Sequence, residues 1–194
     1  MRDGQATRSR IHRAALDLFV SQGVTETSVR ELAQKAGIAE GTLYRHYASK
    51  DDLVADLFAS NYAAFAHRLT ALDRPDQPFH QRLATVVTEI FRFHDAEPTL
   101  FRFLLLVQHQ ALPRMADGFD NPVAVIRQMV EQARAKGEIR DTDPALATAM
   151  LLGLILQPAT ALVYGSLAAP LSRHAPDIVA ACWRVLSLTE IENG

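Results

Sequence analysis

The chain has 194 residues, 48% of them hydrophobic and 22% charged, enough for one large soluble domain or two smaller ones. A single cysteine, Cys182 in the apolar stretch IVAACWRVL, excludes an internal disulfide and suits a reducing cytoplasm, and MRDGQATRSR lacks the apolar run of a signal peptide. The net charge of -2 is unevenly placed: residues 1–50 hold eight Lys or Arg against five Asp or Glu, and residues 51–194 hold twelve against seventeen. A basic head on an acidic body suits a negatively charged partner, because attraction to phosphate is local and screened.

A first helix is expected to open near Thr7 or Ser9, with Ile11, Ala14, Ala15, Leu18 and Phe19 on one buried face and Gly23 past its end. Residues 27–50 read TSVRELAQKAGIAEGTLYRHYASK. There Ser28 and Glu31 have the spacing of a capping box, Val29, Leu32, Ala33 and Ala36 make one apolar stripe, and Gly37 suits the left-handed conformation past a helix end. A second helix over residues 39–47 carries Leu43 and Tyr47 on one side and Thr42, Tyr44, Arg45 and His46 over the rest. Two short helices about a tight turn form the helix-turn-helix pattern, whose second helix enters the DNA major groove. The same spacing also describes an ordinary helical hairpin with a solvated polar face. With the first helix the pair makes a three-helix bundle, its core Ile11, Ala15, Leu18, Phe19, Val29, Leu32, Ala33, Leu43 and Tyr47.

Ser49 and Asp52 form another capping-box pair, so a long helix begins at Lys50 and runs to about Leu72 before the break DRPDQP. Its span of about 30 Å is enough to join a head to a separate body. The body reads as helices: residues 78–94, with Leu83, Val86, Val87, Ile90 and Phe91 inward; a helix opened by Pro98, apolar nearly all round and therefore expected to be central; residues 122–136; residues 144–164, capped by Asp143; and residues 177–188. Pro158 interrupts the hydrogen bonding of the fourth, either shaping a cavity wall or fitting the helix to a neighbour. The apolar run at residues 149–156 is short of a membrane span, and no membrane association is expected. The fold class is all-α.

TSVRELAQKA followed by GIAEGTLYRHYASKDDL resembles the DNA-binding region of the TetR family of bacterial transcriptional repressors. The resemblance reaches back through the helix from about Arg8 to Val20 and covers about the first 60 residues; beyond them it rests on length and helical character. It implies a DNA-binding domain over residues 1–50 and a helical ligand-binding and dimerisation domain over residues 51–194. It also implies a homodimer on a near-palindromic double-stranded operator, a small-molecule effector, no cofactor and a cytoplasmic location. Thr42, Tyr44, His46 and Lys50 are the contact positions the resemblance implies.

Residue chemistry agrees. An ammonium at Lys50 beside a helix N-terminus favours phosphate, Tyr44 and His46 offer donors on stiff rings, and Thr42 has a methyl for thymine or a hydroxyl for a base edge. Arg45 suits guanine or phosphate, and Thr27 and Ser28, at a helix start, suit the DNA backbone. Glu40 departs from the family's usual lysine or small polar residue; it either accepts from a cytosine amino group or faces solvent.

Phe91, His94, Phe101, Leu105, Gln108, His109, Gln157, Tyr164 and Trp183 are aromatic or polar-tipped residues in apolar helices, candidates for an effector pocket and equally for core. No zinc-type histidine or cysteine spacing, phosphate loop or nucleophile elbow occurs, so neither a metal site nor an enzyme is expected. The last two long helices are the dimerisation surface the resemblance implies, with Ala145, Ala149, Gly153, Ala161 and Gly165 small enough for close approach. The rival function is a helical protein–protein adaptor without DNA binding.

Overall fold

A computed structural model describes residues 2–112 and 119–187, the side chains of residues 2, 3, 109 and 110 excepted. The helices are α1 (Arg2–Gln22), α2 (Val29–Ala36), α3 (Glu40–His46), α4 (Lys50–Leu72), α5 (Phe79–Ala96), α6 (Pro98–Ala111), α7 (Pro122–Ala135), α8 (Pro144–Val163) and α9 (Ala175–Leu186), with a short 3-10 turn at Leu171–His174. No strand forms among the described residues. The helix α1 starts earlier than expected. Ser9, near which the helix was expected to open, donates its hydroxyl back to the Gln5 carbonyl at 3.0 Å within it.

Packing divides the chain into two compact units, Met1–Tyr62 with Pro98–Gly118, and Ala63–Glu97 with Phe119–Gly194. This division differs from a single cut after residue 50, because α6 returns to pack on α1. In the first unit Ile11, Ala15, Phe19, Leu32, Ala33, Leu43 and Tyr47 are buried together with Leu53, Leu57 and Phe58 of α4. Leu18 and Val29, expected in that core, are only half-buried. Phe103 of α6 stacks on Phe19 with ring centroids 6.1 Å apart. Leu106, on the other side of α6, is 49% exposed, so this apolar helix is not enclosed on all sides as its composition implied.

In the second unit the enclosed helix is α5. It buries Phe79, Leu83, Val86, Val87, Ile90, Phe91 and Phe93 and packs on α7, α8, α9 and the 3-10 turn. Burial of one such side chain stabilises by about 1.5–3 kcal/mol, so this face dominates the unit. A polar knot lies at one end of the unit. The buried Arg82 guanidinium of α5 donates to both Asp73 oxygens at 2.7 and 2.8 Å and to Gln132 of α7 at 2.8 Å, while its Nη1 has no hydrogen-bond partner. Close by in sequence, the Glu138 carboxylate accepts from the Phe79 N–H at the start of α5.

The Asp143 carboxylate caps α8 by accepting from Ala145 N at 2.7 Å, as its place before Pro144 predicts. Pro158 sits inside α8, which continues through it. All twenty residues of α8 are uncharged, and an 18-residue stretch of it has a mean hydropathy of 1.9, which makes it long and apolar enough to cross a membrane by length and composition. The eight-residue run noted in the sequence understates it, because Thr148, Gln157, Pro158 and Thr160 break the apolar run without adding charge. One face, with Ala147, Leu151, Ile155 and Ala159, is buried, and Ala145, Leu146, Ala149 and Gly153 are exposed.

Candidate nucleic-acid interface

The start of α2 is built as its sequence dictates. Ser28 Oγ accepts from Glu31 N at 3.2 Å, and the Glu31 carboxylate accepts from Ser28 N at 2.8 Å and from its hydroxyl at 2.7 Å. These hydrogen bonds hold the Glu31 carboxyl below its ordinary range. At the other end Gly37 has φ +65, and the N–H groups of Gly37 and Ile38 close on the carbonyls of Gln34 and Ala33 at 3.1 and 3.0 Å. The chain then turns directly into α3.

Leu43 is fully buried and Tyr47, just past the helix, is 7% exposed, which fixes the inward side of α3. Tyr44 at 53%, Arg45 and His46 face outward, as does Glu40. Thr42 is half-buried, and its hydroxyl accepts from Arg45 Nη2 at 2.9 Å, so these two present themselves jointly. Ser28 is also exposed. The outward surface of α3 and the start of α2 therefore display five of the seven residues expected to touch DNA.

The other two are occupied differently. Thr27 is 1% exposed; its hydroxyl donates to the Gly23 carbonyl at 2.7 Å and accepts from Gln22 Nε2 at 3.3 Å. It braces the loop before α2 rather than facing outward. Lys50 directs its ammonium into the same loop, donating to the carbonyls of Val24, Thr25 and Thr27 at 2.7, 3.1 and 2.8 Å. An ammonium has three protons, so all are engaged within the chain.

Behind α3 lies a polar cluster that the sequence pattern did not disclose. Tyr47, Asp56 of α4, and Arg8 and His12 of α1 are mutually hydrogen-bonded. Burial pushes the Tyr47 hydroxyl up to about 12 and the His12 imidazole below its ordinary value. Burial also pushes the Asp56 carboxyl upward, but hydrogen bonds from Arg8 and Tyr47 outweigh it and hold the group below the usual range. The partners lie 9 to 48 residues apart, beyond any local spacing rule.

The candidate pocket residues fall in both units. In the first, Phe101 is buried and Leu105 and Gln108 are half-buried; the His109 side chain lies outside the described residues. In the second, Phe91 is fully buried and Trp183 half-buried, its ring 5.7 Å from that of His80. Gln157 is exposed and Tyr164 is 75% exposed, so neither lines an enclosed space in this chain. His94 is buried beside Asp95, Nδ1 to Oδ1 3.1 Å, and Asp95 accepts from the N–H groups of Leu171 and Ser172 at 2.8 and 2.9 Å. The pair sits at the end of α5 and anchors the 3-10 turn.

Residues 11–57 match the family described as bacterial regulatory proteins, tetR family. The chain is 28% identical over 146 residues to the HTH-type transcriptional regulator SrpR of Pseudomonas putida, spanning 71% of this chain and 65% of that one. It is 31% identical over 107 residues, 55% of this chain and 77% of the other, to TtgW, an uncharacterized HTH-type transcriptional regulator of Pseudomonas putida. The fold is similar to that of the transcriptional regulator FadR from Bacillus subtilis, solved in complex with stearoyl-CoA: TM-score 0.76 at 20% identity, covering 90% of this chain and 96% of that one.

Proposed function

The chain belongs to the tetR family of bacterial regulatory proteins, and from that premise we propose that it is a homodimeric repressor released from a near-palindromic operator by a small apolar or amphipathic molecule. The observation that carries this reading is the helix-turn-helix at residues 29–46, with Tyr44, Arg45 and His46 outward on its second helix. Those three read or position the duplex, Thr42 is steadied by Arg45 for the same task, and Ser28 meets the backbone at the start of α2. Occupying the operator is enough to block transcription, so the reading requires no catalytic activity. A cytoplasmic location follows from the DNA target.

Dimerisation through α8 and α9 is supported by the outward face of α8. A face with Leu146 56% exposed on an uncharged helix is stable in water when a second copy covers it. The same face accounts for the apolar character of α8 without a membrane, since its opposite face packs on α7 and α9. Two copies would present two α3 helices to two half-sites. An acyl-type effector is supported by the stearoyl-CoA complex of the FadR relative, with Phe91 and Trp183 of the second unit the candidate contacts. Release then needs only a difference in effector affinity between the DNA-competent conformation and the other.

The test is to select bound fragments from random DNA, then compare Tyr44→Ala and His46→Ala with wild type on the selected site across salt concentrations. Loss of about 1–3 kcal/mol of operator affinity in either variant is expected. Wild-type binding without salt dependence, or two silent variants, would refute the assignment of α3.

A further inference from the structure

Three elements meet at the hydroxyl of Tyr47, the residue directly after α3. The hydroxyl donates to Asp56 Oδ2 of α4 at 2.7 Å, accepts from Arg8 Nε of α1 at 3.1 Å, and lies 2.7 Å from His12 Nε2, also of α1. Asp56 accepts from Arg8 Nη2 at its other oxygen and lies 3.0 Å from His12 Nε2. The Tyr47 proton is directed to Asp56, and a carboxylate can only accept. His12 therefore carries its proton on Nε2 and shares it between the two oxygens.

Packing alone does not call for this arrangement. A phenylalanine ring would fill the same buried space, and one half-exposed carboxylate would sit comfortably in water. The hydroxyl and its partners supply direction. With seven residues, α3 is too short to hold itself by helix formation. Its first turn has no side-chain cap, Ala39 being the residue there, and Leu43 is its one buried side chain. The far end is fixed by Tyr47, and Tyr47 is fixed by Asp56.

We infer that the Tyr47–Asp56 hydrogen bond, braced by Arg8 and His12, sets the pitch of α3 and makes these four residues positioning residues for base reading. This rests on the reading of α3 as the DNA-contacting helix. Base edges demand placement of Tyr44, Arg45 and His46 in two dimensions, whereas phosphate attraction tolerates a shifted helix. Loosening the brace should thus lower discrimination between operator and random DNA while sparing general affinity.

The experiment compares wild type, Asp56→Asn and Tyr47→Phe on the selected operator and on a random duplex, at several salt concentrations and with urea unfolding to show each variant folded. Asp56→Asn removes a negative charge, which by itself strengthens attraction to DNA. Positioning predicts the opposite on the operator: a loss of about tenfold, the size of one charge-assisted hydrogen bond. Random-duplex affinity should hold or rise. Tyr47→Phe keeps the ring and all charges and should show the same loss of discrimination; it decides the matter if Asp56→Asn does not fold. Parallel loss on both duplexes, or an unweakened operator complex in folded Tyr47→Phe, would overturn the inference alone. Absence of salt-dependent binding by wild type would overturn the α3 assignment and this inference with it.

Discussion

Replacing Lys50 by methionine keeps the unbranched stem as far as Cε and removes the ammonium, and two accounts of that ammonium then part company. As a phosphate contact, Lys50 would contribute about 0.9 to the slope of log affinity against log salt and little to folding. The geometry assigns it elsewhere, to three carbonyls of the loop between α1 and α2 at 2.7 to 3.1 Å. Hydrogen bonds to a charged donor contribute about 1.5–3 kcal/mol each when well shielded. Here Lys50 and Val24 are half-buried and Thr25 is exposed, so water replaces much of what is lost. The Thr27 carbonyl belongs to a buried residue and carries most of the loss. A total of about 1–2 kcal/mol is expected, read as a lower urea midpoint at unchanged m-value. The salt slope of operator binding should stay within experimental error of wild type. A slope lower by about one with an unchanged urea midpoint would refute the argument and restore Lys50 to the phosphate backbone.

Asp95→Ala deprives two backbone N–H groups and His94 of their acceptor, and about 1–3 kcal/mol of stability should be lost in urea. Acid should act on the same contact. Burial pushes the carboxyls of Asp95 and Asp56 up, but their hydrogen bonds hold both below the unfolded value of 3.8. Their contribution is therefore full well above that pH and is lost as pH falls through the folded values. His12, depressed by burial, contributes fully above 6.5 and loses that contribution as pH falls toward its folded value. A urea midpoint that did not decline with acid would contradict these assignments. Leu146→Glu places a charge on the exposed face of α8 and should convert the dimer to monomer in sedimentation; a dimer that persists would move the interface off α8.

The head was legible because its signals are local. Ser28 with Glu31 and the glycine at 37 lie within one turn of the structures they cause, and α2 begins and ends where those residues place it. Thr27 and Lys50 were harder. A hydroxyl before a helix and a lysine at a helix start read the same whether they face a duplex or a loop, and only the path of residues 23–27 turns them inward. The role of α6 was hidden for a related reason. Phe101, Phe103, Leu104 and Val107 announce an apolar helix, but nothing near them in sequence says that its partner is α1. Among the pocket candidates, Gln157 and Tyr164 carry a polar tip on an apolar helix, a pattern that does not distinguish the inward from the outward face of α8.

The guanidinium of Arg82 has a mechanical consequence. It is held at Asp73 by two parallel hydrogen bonds and at Gln132 by a third, all within the second unit. Advancing α5 by one residue past both Asp73 and α7 is a slide of about 1.5 Å, which strains all three together. A buried cation stripped of its partners costs about 3–5 kcal/mol, so intermediate positions are closed to it. At this end α5 behaves as a ratchet tooth: it stays in the notch set jointly by Asp73 and Gln132 or jumps, and gradual creep past the two is opposed.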